Sequence, residues 1–205
     1  LNPGENKMIG STSWVVPGTY YENAVILQKY VDFIELLVFT WDEETKKLFD
    51  KELKHLKKLN IRYSVHLPTD TAENAAKVIE YFSLNDFELL NYVLHPMPGW
   101  QKLEKLPGVS VENLIGTLEY SEKMTFDIGH HILGKKFDAA YKTNIVEYHL
   151  MGVENSTDHI PLNDYAIDTL KEFYLPGRLC CFEVFELEGL LSSLRRWKEY
   201  EKNSQ

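Results

Sequence analysis

Short apolar runs alternate with amphipathic helical stretches along the whole chain, and this alternation restricts the fold more than any other feature. Eight runs rich in β-branched and aromatic residues are predicted as strands: Met8–Val16, Val31–Phe39, Ile61–Leu67, Glu88–His95, Gly108–Gly116, Met124–His130, Ile145–Val153 and Arg178–Glu186. Amphipathic helices are predicted at about Tyr20–Tyr30, Glu43–Leu59, Ala72–Phe82, Tyr165–Tyr174 and Leu187–Tyr200. Several strands are almost continuously apolar, as expected where both faces of a sheet are covered.

Eight strands that alternate with helices predict an α/β fold, a compact single-domain (β/α)8 TIM barrel over residues 1–205. The chain is shorter than the roughly 250 residues of a typical barrel, so its fourth, fifth and sixth helices are expected to be short or degenerate. A doubly wound open sheet is the alternative, but that fold normally has fewer strands. The first loop also lacks its GxGxxG fingerprint. The strand count therefore favours the barrel.

Composition excludes several kinds of partner. The net charge of −9 and the lack of a clustered basic surface argue against nucleic-acid binding, including DNA repair. No apolar run reaches the roughly 18 residues that cross a bilayer, and the start LNPGENKMIG has no secretion signal. Cys180 and Cys181 are adjacent in an apolar run, which is typical of buried strand residues in a reducing cytoplasm; binding of a soft metal is the alternative. A cytoplasmic protein without nucleic-acid or membrane partners is predicted.

Histidines and carboxylates stand at the carboxyl ends of successive predicted strands, or in the loop after one of them. In a TIM barrel these ends line one pocket, which is where active sites form. The residues are His66, His95, Glu112, Asp127, His130, His149, Asp158, His159 and Glu183. A single such histidine is more often a hydrogen-bonded core residue, and the carboxylates could pair with charges on the helices. Because so many strands carry them at the same end, the pattern favours a metal site, with ligands that accept Zn, Mn or Fe.

The order of the motifs HLP, LHP, VEN, DIGH, YHL, DH and FEVF resembles the xylose-isomerase-like, or apurinic-endonuclease-family-two, TIM-barrel superfamily over nearly the whole chain. Within it, the ligand set is similar to that of the trinuclear zinc hydrolases of the endonuclease IV type. The resemblance implies two or three divalent ions. The first would be held by His66, His95 and Glu112. The second would be held by Glu112, Asp127, His149 and Glu183, and the third by His130, Asp158 and His159.

The third ion is where the chain departs from that pattern. Asp158 and His159 are adjacent, whereas the hydrolase motif separates its pair by one residue. Neighbouring side chains on an extended backbone point apart. The sequence therefore predicts two ion sites more firmly than three.

The phrases IGSTSWVVP, DFIELLVF, SVHLP, DIGHHIL and DHIPL resemble a narrower family, the cobamide-remodelling phosphodiesterases, which cleave the nucleotide-loop phosphoribosyl linkage of vitamin B12-type cofactors. This resemblance implies a metal-dependent phosphodiester hydrolase acting on a small or cofactor-sized substrate such as a cobamide. Clustered ions would lower the pKa of a bound water toward about 7. Glu112 would bridge two ions, and Asp127 or Glu183 would orient the attacking hydroxide.

Three residues outside the ligand set are candidates for substrate contact. Trp100 could stack on a flat substrate or form the apolar lid of its own loop. Lys135 and Lys136 could supply positive charge to a phosphate, although loop lysines are more often simply solvated. Glu35 is either a pocket residue or a buried partner of Arg62.

Two other functions remain open. A sugar or sugar-phosphate isomerase or epimerase would need one divalent ion, with two glutamates moving protons beside a carbonyl. Its ligands would be Glu112, Asp127, His149 and Glu183. The histidines beyond that set, His66, His95 and His130, favour the hydrolase instead. A non-catalytic protein that holds a cobamide or a sugar in the barrel mouth is the third hypothesis.

Overall fold

Eight parallel strands close into a barrel in the computed structural model of the chain, which describes residues 8–203. The strands are β1 Met8–Thr12, β2 Phe33–Leu37, β3 Arg62–His66, β4 Tyr92–Leu94, β5 Val109–Glu112, β6 Met124–Asp127, β7 Ile145–Leu150, β8 Gly152–Glu154, β9 Thr157–Ile160 and β10 Leu179–Phe182. Around the barrel they run in the order β1, β10, β7, β6, β5, β4, β3, β2, and β8 pairs with β9 in a separate hairpin. The predicted (β/α)8 TIM barrel is confirmed. Residues 1–7, which make up most of the segment LNPGENKMIG, lie outside the described residues.

The helices surround the barrel as α1 Tyr20–Leu27, α2 Glu43–Leu56, α3 Ala72–Leu84, α4 Ile128–Leu133, α5 Asp164–Leu170 and α6 Leu187–Asn203. Short 3₁₀ helices span Trp100–Lys102 and Ala139–Asn144. The side chains of Thr19, Asp42 and Thr71 cap the first three helices by accepting a hydrogen bond from the backbone N–H three residues later. As predicted, the connections after β4, β5 and β6 carry only short helices or none.

A hydrophobic core joins the outer faces of the strands to the helices. Its largest fully buried side chains include Trp197, Tyr148, Phe49, Phe82 and Phe126. Within residues 8–203, none of the helices combines the length and the apolar character needed to cross a bilayer. Helices α1 to α6 each contribute buried apolar side chains to the core that covers the barrel.

All eight barrel strands end earlier than their sequence patterns indicate, and after the sixth and the seventh the chain forms a different element within the predicted range. The sixth was expected to reach His130, but β6 stops at Asp127, whose side chain accepts a 2.6 Å hydrogen bond from the backbone N–H of His130 and caps α4. The seventh was expected to reach Val153, but the chain leaves the barrel after Leu150 and forms the β8–β9 hairpin. Positive φ angles at Asn155 and Ser156 make the tight turn of that hairpin.

Gly10 on β1 gives the barrel room for a buried ring. A Cβ atom at Gly10 would stand 2.3 Å from the ring of Phe33, a fully buried side chain on the neighbouring β2. Gly10→Ala is therefore expected to lower the free energy of unfolding by about 1–3 kcal/mol through overpacking. For a chain of this size that corresponds to a melting temperature lower by roughly 5 °C.

Gly116→Ala is the matched control for Gly10→Ala. A Cβ atom at Gly116 would meet nothing within 4 Å, and no left-handed φ is required there. Thermal unfolding followed by circular dichroism should therefore leave the control near the wild type. Equal melting temperatures for the two variants would contradict the packing of Gly10 against Phe33.

Candidate metal centre

The structure brings most of the predicted site residues together at the carboxyl ends of the barrel strands. His66, Glu112 and Asp127 are the last residues of β3, β5 and β6. His95 follows β4 directly, and Glu183 follows β10. The remaining members lie on β7, α4 and β9: His149, His130, Asp158 and His159. Parallel strands end on one face, so the barrel places these side chains in one pocket.

Glu112 is the centre of this group. Its Oε2 lies 3.2 Å from Nε2 of His66 and 2.9 Å from Nε2 of His95. Its Oε1 lies 3.4 Å from Nδ1 of His130 and 3.4 Å from Nδ1 of His149. The Glu112 side chain is 1% exposed, so four imidazoles rather than water surround the carboxylate.

The charges of this group depend on one another. Burial favours a higher pKa for Glu112, but the charges of His95 and His149 and the hydrogen bond from His130 outweigh it and hold that pKa well below its usual range. Burial favours a lower pKa for His66, and the hydrogen bond to Glu112 and the charge of Glu112 outweigh it, raising the pKa to about 9. The pKa of His130 rises to about 10 for similar reasons. At neutral pH the charge of the Glu112 carboxylate is therefore balanced by protons on the neighbouring histidines, and a metal ion bound by these histidines would replace those protons.

Three carboxylates meet at one nitrogen of His149. Nδ1 of His149 lies 3.4 Å from Glu112 Oε1, 3.6 Å from Glu183 Oε2 and 3.9 Å from Asp127 Oδ2. Both ring nitrogens of His149 and Oδ2 of Asp127 are buried without a hydrogen-bond partner. Buried polar atoms of this kind are unfavourable unless something satisfies them. One imidazole and three carboxylates are a donor set that can hold a divalent ion. Among the described residues, the ligand atoms at this end of the barrel lie within 4.8 Å of one another in three groups: His66, His95 and Glu112; Glu112, Asp127 and His130; and Glu35, His149 and Glu183.

Asp127 and Glu183 differ in pKa because their neighbours oppose the effect of burial to different extents. Burial raises the pKa of Asp127 to about 7, although nearby His130 favours the charged form. For Glu183, burial acts in the same direction, but the charge of His149 and a hydrogen bond from His159 outweigh it and lower the pKa to about 2. Glu183 is therefore a carboxylate at neutral pH.

Asp158 and His159 do not point apart as their adjacency suggested. His159 adopts a left-handed φ of 57°, which turns its ring toward its neighbour, and Nδ1 lies 2.8 Å from Asp158 Oδ1. Nε2 of His159 also lies 3.5 Å from Glu183 Oε2. In the described part of the chain, this pair does not converge with His130 into a group of ligand atoms within 4.8 Å of one another, although other such groups exist. The hairpin pair thus extends the site toward Glu183.

The structure gives other contacts for two of the three predicted substrate residues and leaves the third exposed. Trp100 is 7% exposed and packs in the hydrophobic core, so its ring is not presented to the pocket. Nζ of Lys136 donates to the carbonyls of His131 and Ile132 at the end of α4, and Lys135 is exposed on the same loop. Their positions match the alternatives of an apolar lid and of solvated lysines.

The sequence missed one set of residues and left the role of Glu35 open. Exposed aromatic side chains, Trp14, Phe39 and Phe185, follow three strand ends, and Phe185 stacks on His159 with ring centroids 4.9 Å apart. Glu35 is fully buried and contacts His149 instead of Arg62: its Oε2 lies 3.4 Å from His149 Nε2. A charged residue in an otherwise apolar strand was the available signal for Glu35.

The chain has the (β/α)8 TIM-barrel fold, with histidines and carboxylates at the ends of its strands. Two solved structures are similar to it. One is the crystal structure of a D-tagatose 3-epimerase-like protein, with a TM-score of 0.59 and 15% identity over 95% of this chain and 97% of that chain. The other is an IOLI protein with a bound zinc atom, with a TM-score of 0.56 and 11% identity over 96% of each chain. No protein-family model and no curated protein sequence matches the chain.

These comparisons correct the predicted activity. The similar structures are an epimerase-like protein and an IOLI protein, so the prediction of a phosphodiester hydrolase is wrong, and they favour the isomerase or epimerase that the sequence left as the alternative. The narrower resemblance to cobamide-remodelling enzymes has no counterpart in them. The hydrolase prediction rested on His66, His95 and His130 as ligands of further ions. Each of them lies 2.9–3.4 Å from Glu112, where it can hold that carboxylate. His66 and His95 also form, with Glu112, one of the groups whose ligand atoms lie within 4.8 Å of one another.

Proposed function

We propose that the chain is a sugar or sugar-phosphate isomerase or epimerase that uses one divalent metal ion. The observation that carries this proposal is the convergence of Glu112, Asp127 and Glu183 on one unpartnered nitrogen of His149. That set of ligands matches the single-metal alternative drawn from the sequence. The barrel shared with a D-tagatose 3-epimerase-like protein and with a zinc-containing IOLI protein is consistent with it.

A divalent ion held by these four side chains supplies charge that stabilises negative oxygen as a carbonyl substrate loses the neighbouring proton. Two groups of the chain can move that proton. Glu112 and Glu183 are both buried carboxylates and both lie within 3.6 Å of His149 Nδ1. One can remove a proton from the carbon next to the carbonyl while the other returns it, which is general acid–base catalysis.

The other histidines then have positioning roles. His66 and His95 both face Oε2 of Glu112, so they fix that carboxylate and leave Oε1 turned toward His149. Glu35 contacts the opposite ring nitrogen, Nε2 of His149, at 3.4 Å. A carboxylate on the second nitrogen orients an imidazole ligand and increases its basicity. The ionisable groups beyond the four proposed ligands can therefore be explained as partners that orient the ligands of a single ion.

Hydrogen exchange with solvent tests this activity whichever epimer or isomer is formed. The chain is incubated in D₂O with Zn, Mn or Fe and a panel of ketoses and ketose phosphates. Deuterium is expected at a carbon next to the carbonyl, together with a new epimer or isomer, and both are detected by NMR. The same panel in H₂O measures turnover.

The control for this assay is the same protein after chelation, which should lose exchange and regain it when the metal returns. A folded, metal-loaded chain that exchanges no substrate hydrogen with any sugar in the panel would contradict the proposal. Such a result would leave a sugar-binding role for the barrel mouth.

A further inference from the structure

A second cluster of potential ligands lies one layer below the centre just described. It consists of Glu35 on β2, Glu147 on β7 and Cys181 on β10, all fully buried. Their ligand atoms lie within 4.8 Å of one another. Glu147 and Cys181 precede His149 and Glu183 by two residues, so they point to the same interior face of the barrel.

Each carboxylate of this cluster has one oxygen held and one oxygen free. Asn91 donates a 2.6 Å hydrogen bond to Glu147 Oε2, and Ser64 donates a 3.5 Å hydrogen bond to Glu35 Oε2. The other oxygens, Oε1 of Glu35 and Oε1 of Glu147, are buried and have no hydrogen-bond partner. Carboxylates fixed through one oxygen with the other unsatisfied are arranged as ligands usually are.

The cluster also lacks a compensating cation from the protein. Among the described residues, His149 is the basic side chain that lies within ion-pair distance of Glu35, and no lysine or arginine does so for Glu35 or Glu147. Two buried carboxylates are costly unless they are paired or coordinate a metal. A bound divalent ion would satisfy both carboxylates in place of a proton.

We propose that Glu35, Glu147 and Cys181 bind a second divalent metal ion of zinc-like chemistry inside the barrel. The ligand types argue for zinc, because it accepts carboxylate oxygen and cysteine sulfur together, whereas magnesium and calcium take oxygen. The separations are short enough for small side-chain rotations to reach bond lengths of about 2.0–2.3 Å. The ion would link β2, β7 and β10. Its binding does not depend on the reaction at the upper centre, which consists of Glu112, Asp127, His149 and Glu183.

Sulfur distinguishes the two metal sites, since no cysteine lies among the ligands described for the upper centre. The chain is produced in zinc-depleted medium with cobalt, so that a buried site can fill during folding. Cobalt bound to a thiolate gives a sulfur-to-metal charge-transfer band in the near ultraviolet, and cobalt bound only to nitrogen and oxygen does not. The wild type is expected to show this band with about one cobalt per chain at the lower site.

Cys180 provides the matched control because it is the adjacent cysteine on the same strand. Successive residues of β10 face opposite ways, and Cys180 packs into the hydrophobic core between strands and helices. Cys180→Ala should keep the band, whereas Cys181→Ala should lose the band and about one cobalt. Cys181→Ser keeps the side-chain size and should also lose the band. This variant therefore still tests the proposal if the alanine variant fails to fold.

Two more variants separate this proposal from the proposed function. Glu147→Gln should lose the band, and Glu112→Gln, which disturbs only the upper centre, should keep it. A folded wild type without the band, whatever its total cobalt, would overturn the proposal, as would a band that depends on Cys180. In that case the carboxylate pair holds a proton instead of a metal.

Discussion

Glu183→Gln is expected to slow hydrogen exchange between substrate and solvent by about 10²–10⁴-fold while the barrel stays folded. The side chain is 7% exposed and lies between His149 Nδ1 at 3.6 Å and His159 Nε2 at 3.5 Å. Its low pKa keeps it a carboxylate at neutral pH, which is the form that can accept a proton. An amide of the same shape cannot accept one, so the loss should fall on turnover more than on substrate binding.

Glu186→Gln is the matched control for this prediction. Glu186 lies three residues further along the same loop and is exposed, so removing its charge should change the exchange rate very little. Metal content, measured by elemental analysis, should stay near the wild-type value in Glu186→Gln. For Glu183→Gln the exchange rate is compared per bound metal ion, because this substitution also removes one negative charge from the proposed ligand set. Exchange by Glu183→Gln at more than half the wild-type rate would show that another group moves the proton.

The fold and the members of the upper centre could be predicted from sequence patterns within single strands. Alternation of strands and helices predicts the barrel, and the barrel places the ends of its strands on one face. His66, Glu112 and Asp127 could therefore be assigned to one pocket from their positions alone. The pairing of particular atoms, such as His95 with Glu112, depends on barrel closure and lay beyond the sequence.

The hairpin and the lower cluster were missed for physical reasons. The left-handed backbone of His159 lets two adjacent side chains converge, and no residue type at that position indicates it. Glu147 and Cys181 sit in runs that look like continuous apolar strands. Their two-residue spacing from His149 and Glu183 was the available signal, because inward-facing residues of a barrel strand repeat with that period.

Trp100 is a residue whose role the sequence leaves undecided and the structure decides. A tryptophan in a loop after a strand end is compatible with substrate stacking and with packing, and the sequence does not separate the two. In the structure the short 3₁₀ helix at Trp100–Lys102 turns the ring into the core, where it is 7% exposed. The gain from burying a large apolar surface decides its orientation.

Glu112→Gln is expected to remove about one equivalent of bound metal per chain and to abolish exchange, with circular dichroism near that of the wild type. Both carboxylate oxygens face histidine nitrogens, and the charge that draws a cation into the pocket is lost with the acid. Elemental analysis of protein purified without chelators or a metal-binding tag measures the change. Glu119→Gln, an exposed site in the loop after β5, should keep all of its metal.

The difference in metal content between wild type and Glu112→Gln counts the ions of the upper centre alone, because the proposed lower site does not include Glu112. A difference of about one supports a single ion held by Glu112, Asp127, His149 and Glu183. A difference of two or three would mean that His66 and His95 are ligands and not supports, which contradicts the single-metal mechanism. Unfolding of the variant would show instead that the ring of histidines around Glu112 holds the barrel together more than it serves catalysis.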